Sequence, residues 1–352
     1  MRLRRIFTVL AALAAMGDAR GDDGLLDLAR GRFRALPKDM ASADAPTAPE
    51  RVALGRDLFF EPRVSADGTT SCTRCHLPAL HAIDGLPTSI GALNLHLKRN
   101  APTVLNAAIH SSQHWDGRFR DVEDQAGHGV SGPGFGNSGF AAVKARLLAV
   151  PGYERLFQEA FPGQDDPITA ENFARAVGAF ERTLVARSRF DDYLEGRADA
   201  LSPAEREGLR CFVEVGCVDC HHGVGVGGAG FRKFGEKSDY WAETGAKDPD
   251  KGRFELTRDP SDLYKFKVPG LREVAATAPY FHDGSVRELP RAVRIMAKVQ
   301  LGEILPDDEV DSIVAFLGSL TGEEPEGLRR APILPPGGFV RSPVAHPVAS
   351  AR

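Results

Sequence analysis

The sequence predicts an all-α protein made of two related domains, with long loops between the helices. Apolar residues recur at helical spacing in several stretches, and no stretch alternates convincingly in the way that a strand does. The motif Cys-x-x-Cys-His occurs twice, once in each half of the chain. A chain of 352 residues is long enough to give each domain a core of its own.

The N-terminus has the pattern of a secretory signal peptide. The basic stretch MRLRR precedes an apolar run from Ile6 to Met16, and small residues follow it. Because this run is too short to span a bilayer, we expect residues 1–19 to be a cleaved signal that directs the protein to a bacterial periplasm. No later segment is long or apolar enough to predict a membrane span. The net charge of -4 gives no indication of a nucleic-acid partner.

Helices are predicted in order along the rest of the chain. The spacing of Val52, Leu54 and Leu58 predicts a helix that follows an earlier helix and a proline-bearing linker. Further helices are predicted at Phe140–Leu148, Ala170–Arg187, Pro203–Val215, Leu289–Met296 and Asp307–Leu320. The loops over 127–139 and 223–235 are rich in glycine and proline, and loops of this length commonly enclose a ligand or carry function.

The domain boundary is predicted just after the long helix that ends at Arg187. This gives an N-terminal domain over 20–187, a C-terminal domain over 188–325 and a proline-rich tail over 326–352. The tail has little apolar surface to bury, so we expect it to be extended or disordered.

The two Cys-x-x-Cys-His motifs begin at Cys72 and at Cys217. Two thiols one helical turn apart can reach both vinyl groups of a haem, and the adjacent histidine can bind its iron. A zinc site or a dithiol redox centre would leave both histidines without a role. The sequence therefore predicts two cytochrome c-like domains, each with one covalent c-type haem, held by Cys72, Cys75 and His76 and by Cys217, Cys220 and His221. The fifth cysteine, Cys211, is expected to be an unreactive thiol.

Further segments carry a resemblance to a known family. These segments are KRNAPTVLNA (98–107), WDGR (115–118), FKVPGLREVAATAPYFHDGSV (266–286), AVRIMAKVQLG (292–302) and IVAFLGSLTG (313–322). With the two motifs, they resemble the bacterial di-haem cytochrome c peroxidase family, which includes the MauG-type protein-oxidising enzymes. The resemblance covers roughly residues 48–325.

The resemblance implies an enzyme that reduces hydrogen peroxide to water. Its N-terminal haem would be the peroxidatic one, and its C-terminal haem would pass on electrons from a small cytochrome c or a cupredoxin. The family also tends to form homodimers. Two alternatives stay open, namely a MauG-like high-valent haem enzyme that oxidises a partner protein and a non-enzymatic di-haem electron-transfer protein.

The resemblance also implies a second axial ligand for the C-terminal haem. Met296 follows His282 at the family's spacing for this methionine. Histidine and methionine ligation raises the reduction potential of a haem, which suits an electron-accepting role. MauG-type proteins have a tyrosine at this place, so Met296 favours the peroxidase branch.

Two more features are implied by the resemblance alone. Trp115 matches a tryptophan that lies between the haems, where an aromatic ring can shorten the electron path. A calcium ion at the domain junction would be bound by Asn100 and by the backbone carbonyls of Thr277 and Pro279, and oxygen ligands of this kind suit calcium.

The chain departs from the family at the ligand that caps the N-terminal iron in many members. At the place of that histidine, in the loop that follows His76, this sequence has Ala92. His96 and His81 are nearby substitutes, although each is more typical of a surface or supporting histidine. We therefore expect the first haem to be open to peroxide without reductive activation.

A second departure concerns the acid–base group. Beyond Gln125 the family has a glutamate, and at its place this chain has Phe135. Gln125 can orient peroxide or water but cannot act as a base. His114, next to Trp115, and His128 are the candidate replacements, because an imidazole with a pKa near neutrality is a competent proton shuttle.

Overall fold

The computed structural model describes residues 24–339, so the predicted signal over 1–19 and the last part of the tail lie outside the described residues. In this range the helices are 24–32 (α1), Pro49–Phe60 (α2), Val122–Ser131 (α3), Phe140–Leu148 (α4), Tyr153–Ala160 (α5), Ala170–Glu181 (α6), Arg189–Leu194 (α7), Pro203–Glu214 (α8), Tyr240–Thr244 (α9), Phe254–Thr257 (α10), Leu289–Met296 (α11), Asp307–Gly318 (α12) and Glu326–Arg329 (α13). The strands are Phe231–Lys233 (β1) and Lys265–Lys267 (β2). Helices dominate the described residues, as the sequence predicts. The predicted loop over 127–139 is wrong for its first residues, because the side chain of Asp121 accepts the N–H of Asp124 and begins helix α3, which continues to Ser131.

The helix boundaries follow from local chemistry. Ser202 begins α8 with a capping box, in which its side chain and that of Glu205 each bond the other's backbone N–H. Helix α6 ends at Glu181, short of the predicted end at Arg187. The reason lies in Asn106, whose side-chain oxygen accepts the N–H of Ala186 at 2.9 Å and so holds this segment outside the helix.

Each half of the molecule is built on one close helix crossing. In the first, α2 crosses α6 at Gly55, where a Cβ atom would lie 1.8 Å from the carbonyl oxygen of Ala176. In the second, α8 crosses α12 at Gly208, where a Cβ atom would lie 1.8 Å from the carbonyl oxygen of Ser312. Only glycine allows the two backbones to approach this closely. The same close glycine contact therefore precedes each Cys-x-x-Cys-His motif.

Both ends of the described chain pack across the predicted domain boundary. Helix α1 lies in the core of the second half, where the ring of Phe33 contacts that of Phe190 with centroids 5.3 Å apart. Helix α13 returns to the first half, where Leu328 is fully buried. Arg63 donates hydrogen bonds of 2.9 Å to the carbonyls of Pro335 and Gly337. The expectation that the tail buries little is therefore wrong at Leu328, whereas residues 331–339 form neither helix nor strand and are all half-buried or exposed.

The two short strands were not predicted from the sequence. They form one antiparallel ribbon in which Phe231 pairs with Lys267 and Lys233 pairs with Lys265. Three-residue strands give no readable alternation, which is why the pattern missed them. Within residues 24–339, no helix has the length and apolar character that a membrane crossing requires.

Candidate functional site

A cavity of about 280 Å³ lies in the second half of the molecule and reaches toward the first. It is lined by the second Cys-x-x-Cys-His motif at Cys217, Cys220 and His221, and also by Met296. Met296 stands at the last residue of α11. The structure therefore brings the predicted axial methionine to the predicted haem motif, although the two are far apart in the chain.

The second motif is positioned by the end of α8. Gly216, with a φ of 99°, turns the chain out of the helix, and a 3-10 turn follows over Cys217–Asp219. The N–H of His221 donates to the carbonyl of Cys217 at 3.0 Å and fixes the histidine behind the turn. Burial lowers the pKa of His221 to about 4, against the opposing effect of nearby backbone carbonyls. The imidazole is therefore neutral at pH 7, the form that can bind a metal.

The first motif repeats this local geometry. A 3-10 turn covers Cys72–Arg74, and the N–H of His76 donates to the carbonyl of Cys72 at 3.0 Å. Burial lowers the pKa of His76, so this imidazole is also neutral at pH 7. Its Nδ1 lies 3.2 Å from the carbonyl oxygen of Ala82, a contact that leaves Nε2 as the ligating atom.

The lining of the cavity fits a haem. Apolar side chains make up much of its wall, among them Phe212, Leu289, Val293, Ile313 and Leu317. Four cationic residues also line it, Arg232, Lys233, Lys267 and Arg272, whereas none of its described lining residues is Asp or Glu. An apolar macrocycle that carries carboxylates matches this combination. The pair of cysteines at the wall is the donor set for covalent attachment.

Trp115 and His114 line the same cavity from the first half of the chain. The indole Nε1 of Trp115 donates to the carbonyl of Asn100 at 3.0 Å, and its own carbonyl accepts the N–H of Lys267 at 2.7 Å. These two bonds fix Trp115 between segments from both halves of the molecule. This is the region in which the sequence predicts an electron path between two haems.

His114 has a positive φ of 65°, and its ring packs edge-on against Phe119 with centroids 4.8 Å apart. The side chain is exposed to the cavity while protein surrounds it, and this desolvation lowers its pKa to about 4. The positive charge that His76 would carry acts in the same direction. His114 is therefore neutral well below pH 7, rather than titrating near neutrality as the sequence suggested.

The three predicted calcium ligands come from both halves of the chain. Asn100, Thr277 and Pro279 all line it, although the first comes from the N-terminal half and the other two from the C-terminal half. The amide nitrogen of Asn100 donates to the carbonyl of Leu86 at 2.8 Å, so the amide oxygen stays available as a ligand. Oxygen donors of this type could hold calcium.

Other predicted residues lie elsewhere. Gln125 is half-buried on α3 and is not part of the cavity wall. His128 is exposed, and its Nδ1 lies 3.0 Å from a carboxylate oxygen of Asp124. His96 is exposed as well, whereas the Nδ1 of His81 lies 3.2 Å from the buried carboxylate of Glu273. These contacts favour the surface or supporting interpretation of His81, His96 and His128.

The two positions that depart from the family lie in turns that touch. Ala92 belongs to the turn Ala92–Asn94, and Phe135 to the turn Pro133–Phe135. The contact is tight, since a Cβ atom on Gly91 would lie 2.4 Å from the carbonyl oxygen of Gly134. Phe135 packs partly buried against the first core. Both departures therefore alter one place in the N-terminal half.

The sequence analysis missed two buried groups in the cavity wall. His282 stacks on Phe266 with centroids 4.2 Å apart and contacts Trp115 edge-on at 6.3 Å. Lys267 is buried beside it, on β2. Both stand in the quoted segment over 266–286, and a charged residue inside an otherwise apolar stretch was the available signal for Lys267.

Comparison with known proteins agrees with this geometry. A family model described as di-haem cytochrome c peroxidase matches residues 49–199. The cytochrome c551 peroxidase of Pseudomonas aeruginosa is 40% identical over 307 residues, which cover 86% of this chain and 88% of that protein. The chain belongs to the di-haem cytochrome c peroxidase family. The resemblance inferred from the motifs is thus confirmed, and the family implies haem cofactors and an oxidoreductase of the peroxidase class.

The family has more than one branch among the similar proteins. The methylamine utilization protein MauG of Methylorubrum extorquens is 36% identical over 81% of this di-haem peroxidase chain and 78% of its own length. A crystal structure of a MauG-like protein associated with microbial copper homeostasis superposes with a TM-score of 0.70 at 30% identity, covering 82% of this chain and 94% of that one. The di-haem peroxidase BthA of Burkholderia thailandensis, with a TM-score of 0.63 at 19% identity over 88% of this chain and 94% of that one, supports the fold.

Proposed function

We propose that this protein is a periplasmic cytochrome c peroxidase that reduces hydrogen peroxide to water with electrons from a small redox protein. Two covalent c-type haems would be held by the motifs that end at His76 and His221. Electrons would pass from the C-terminal haem, with His221 and Met296 as axial ligands, to the N-terminal one. The observation that carries the proposal is the presence of Met296 in the cavity of the second motif.

Haem iron, when bound at these motifs, stores single electrons and provides the centre at which peroxide is reduced. The protein's own residues supply ligation and proton handling. Neutral His76 and His221 can bind iron at pH 7, and Met296 favours the reduced state of the second haem. Neutral His114 lies close enough to His76 that a charge there would lower its pKa, and it is the candidate base that could accept a proton from peroxide at the N-terminal haem in place of the missing glutamate. The role of Gln125 in orienting peroxide stays a prediction.

Calcium at Asn100, Thr277 and Pro279 would join the two halves beside Trp115. The hydrogen bond from the Trp115 indole to the Asn100 carbonyl links this site directly to the residue between the haem motifs. A calcium ion would therefore hold Trp115 in position as well as the domain junction. Homodimer formation and a small cytochrome c or cupredoxin as electron donor complete the proposal, by analogy with the family.

One observation favours a second candidate function, the oxidation of a partner protein. Ala92 and Phe135 both replace residues that the peroxidase branch uses, and they lie in touching turns. The identity of 36% with MauG is close to the 40% with the cytochrome c551 peroxidase. Met296 opposes this reading, because the MauG branch is expected to have tyrosine there. A purely electron-transferring protein is the third candidate.

The deciding experiment follows oxidation of a reduced small cytochrome c by hydrogen peroxide in the presence of the holoprotein. Turnover that is proportional to the holoprotein concentration supports the peroxidase. Rapid reaction with peroxide but no donor oxidation, together with oxidation of a secreted partner protein, would support the second candidate. No reaction with peroxide in the oxidised or half-reduced protein would leave electron transfer.

A further inference from the structure

The charged side chains that line the cavity are all cationic. Four cationic residues line it, Arg232, Lys233, Lys267 and Arg272, and none of its described lining residues is acidic. Buried charges in proteins are normally paired, because an unpaired charge loses its hydration without compensation. The lining therefore calls for an anionic group inside the cavity.

Lys267 differs from the other three because it is buried and has no carboxylate partner among the described residues. Arg272 is already paired, with two bonds of 2.8 and 3.0 Å to the carboxylate of Asp191. Arg232 is exposed, and Lys233 is half-buried on the same strand. Lys267 is buried, with 6% of its surface accessible, and its Nζ donates to the backbone carbonyl of Ser112 at 2.8 Å. An ammonium group has three donors, so this single bond leaves two of them unused.

The electrostatics of the site point the same way. Desolvation is the only resolved cause of the lowered pKa of Lys267, with no contribution from a nearby carboxylate. The pKa falls to about 8, so most molecules still carry the charge at pH 7. The same charge lowers the pKa of His110 and of His114, which both line the cavity. The described residues thus leave a positive group within electrostatic range of two neutral imidazoles in the same cavity wall.

We propose that the ammonium group of Lys267 binds a carboxylate of the haem attached at Cys217 and Cys220, and thereby raises the reduction potential of that haem. Lys267 lies on β2 of the ribbon and lines the same cavity as His221 and Met296. The inference rests on the proposed attachment of haem at the second motif. It does not depend on whether the protein turns over peroxide.

The direction of the effect follows from charge. Ferric haem carries one more positive charge than ferrous haem, so a nearby cation disfavours the ferric form. A carboxylate whose charge is compensated also stabilises the ferric form less than a free one does. Removal of the Lys267 charge should therefore shift the ferric/ferrous ratio toward ferric by about tenfold at fixed ambient potential, which is about 59 mV for a one-electron couple.

The test measures the midpoint potential of the higher-potential haem at pH 7 by spectroelectrochemistry in three variants. Lys267→Met removes the charge and keeps the length, whereas Lys267→Gln removes the charge and keeps a hydrogen-bond donor for the Ser112 carbonyl. Lys267→Arg keeps the charge. Lys265→Met is the matched control, because Lys265 lies on the same strand, outside the cavity lining. A pyridine haemochrome assay first establishes that every variant carries the wild-type amount of covalent haem.

We expect the midpoint potential to be about 59 mV lower in Lys267→Met and Lys267→Gln than in the wild type. The potentials of Lys267→Arg and of the Lys265→Met control should stay near the wild-type value. If Lys267→Met does not accumulate, Lys267→Gln and Lys267→Arg still compare a neutral with a charged side chain at this position. Wild-type potential in the Gln variant would overturn the proposal. A wild-type potential that changes on addition of acetate would also overturn it, since the carboxylate bound by Lys267 would then come from solution. A haemochrome value of one haem or fewer would instead refute the attachment on which the inference rests.

Discussion

Replacement of His114 by glutamine is the perturbation that bears most directly on the chemistry of this chain. Glutamine keeps a polar side chain in the cavity but cannot take up a proton. Loss of a positioned base in proton transfer lowers a rate by about 10²- to 10⁴-fold. We therefore expect the rate of peroxide turnover to fall by at least about 10²-fold in His114→Gln.

The structure also fixes the pH dependence of this effect. Desolvation by the surrounding protein lowers the pKa of His114 to about 4, so the imidazole is mostly neutral from pH 5 to 8 and becomes protonated as the pH falls through 4. The ratio of wild-type to variant rates should therefore be flat over this range. A histidine with the ordinary pKa of about 6.5 would be only about 3% neutral at pH 5, and the ratio would fall about thirtyfold between pH 8 and 5.

The assay is steady-state oxidation of a reduced small cytochrome c by peroxide, with kcat and KM measured at several pH values. His128→Gln is the matched control, because His128 stacks on the same ring of Phe119, with centroids 5.4 Å apart, but does not line the cavity. The control should keep the wild-type rate. A His114→Gln rate within about twofold of wild type would refute the role of His114 as the base, and a ratio that falls about thirtyfold toward pH 5 would refute the lowered pKa.

Three other substitutions test the haem ligand and the packing that supports it. Met296→His should lower the midpoint potential of the second haem, because two nitrogen ligands favour ferric iron more than a nitrogen and a thioether do; an unchanged potential and spectrum would rule out Met296 as a ligand. Asp191→Asn should destabilise the fold by about 3–5 kcal/mol in urea unfolding, because it leaves Arg272 buried without its charge partner, whereas Asp192→Asn, which disrupts an exposed pair, should cost at most about 1 kcal/mol. Leu328→Ala should lower the free energy of unfolding by about 2–5 kcal/mol, because Leu328 is fully buried in the first core. Its control, Ile333→Ala, changes a residue that is 99% exposed and should leave stability unchanged. Equal effects of the two substitutions would show that Leu328 does not pack as described.

The parts of the site that sequence could predict are those governed by neighbours along the chain. The cysteines and histidine of each motif lie within one turn, and the bonds from His76 to Cys72 and from His221 to Cys217 repeat at the same distance of 3.0 Å. Helix α4 was predicted with the bounds observed, because apolar residues recur at helical spacing over this stretch and Gly139 precedes it. Met296 could be assigned to the second motif only through the resemblance, which gives the family's spacing between His282 and the methionine. Apolar periodicity alone carries no such information.

The parts that sequence could not predict are contacts between distant segments. Periodicity indicates that α1 has a buried face, but it does not say that this face packs in the second half, beside Phe190. In the same way, nothing in the sequence near His81 indicates its pairing with Glu273, which stands in the other half of the chain. The lowered pKa of His114 is also a property of the folded cavity, since desolvation by the surrounding protein is its main cause.

The burial of the Lys267 amine likewise depends on contacts between distant segments and could not be predicted from the sequence. Lys267 follows Phe266 in an apolar stretch, and a lysine at such a position normally extends its amine to solvent. Here the pairing of β2 with β1 and the bond to the Ser112 carbonyl keep the amine buried. The buried amine indicates an anionic ligand only because the described lining of the cavity also contains no Asp or Glu.

The central claim is that this di-haem scaffold reduces hydrogen peroxide although Ala92 and Phe135 replace the family's capping and acid–base residues. Stopped-flow absorption of the fully oxidised holoprotein after mixing with one equivalent of hydrogen peroxide tests it most directly. We expect a rapid change in the haem spectrum without prior reduction, followed by return to the starting spectrum when a reduced small cytochrome c is added. An unchanged spectrum in the oxidised protein, and again after reduction of one haem, would contradict the claim and leave electron transfer as the function.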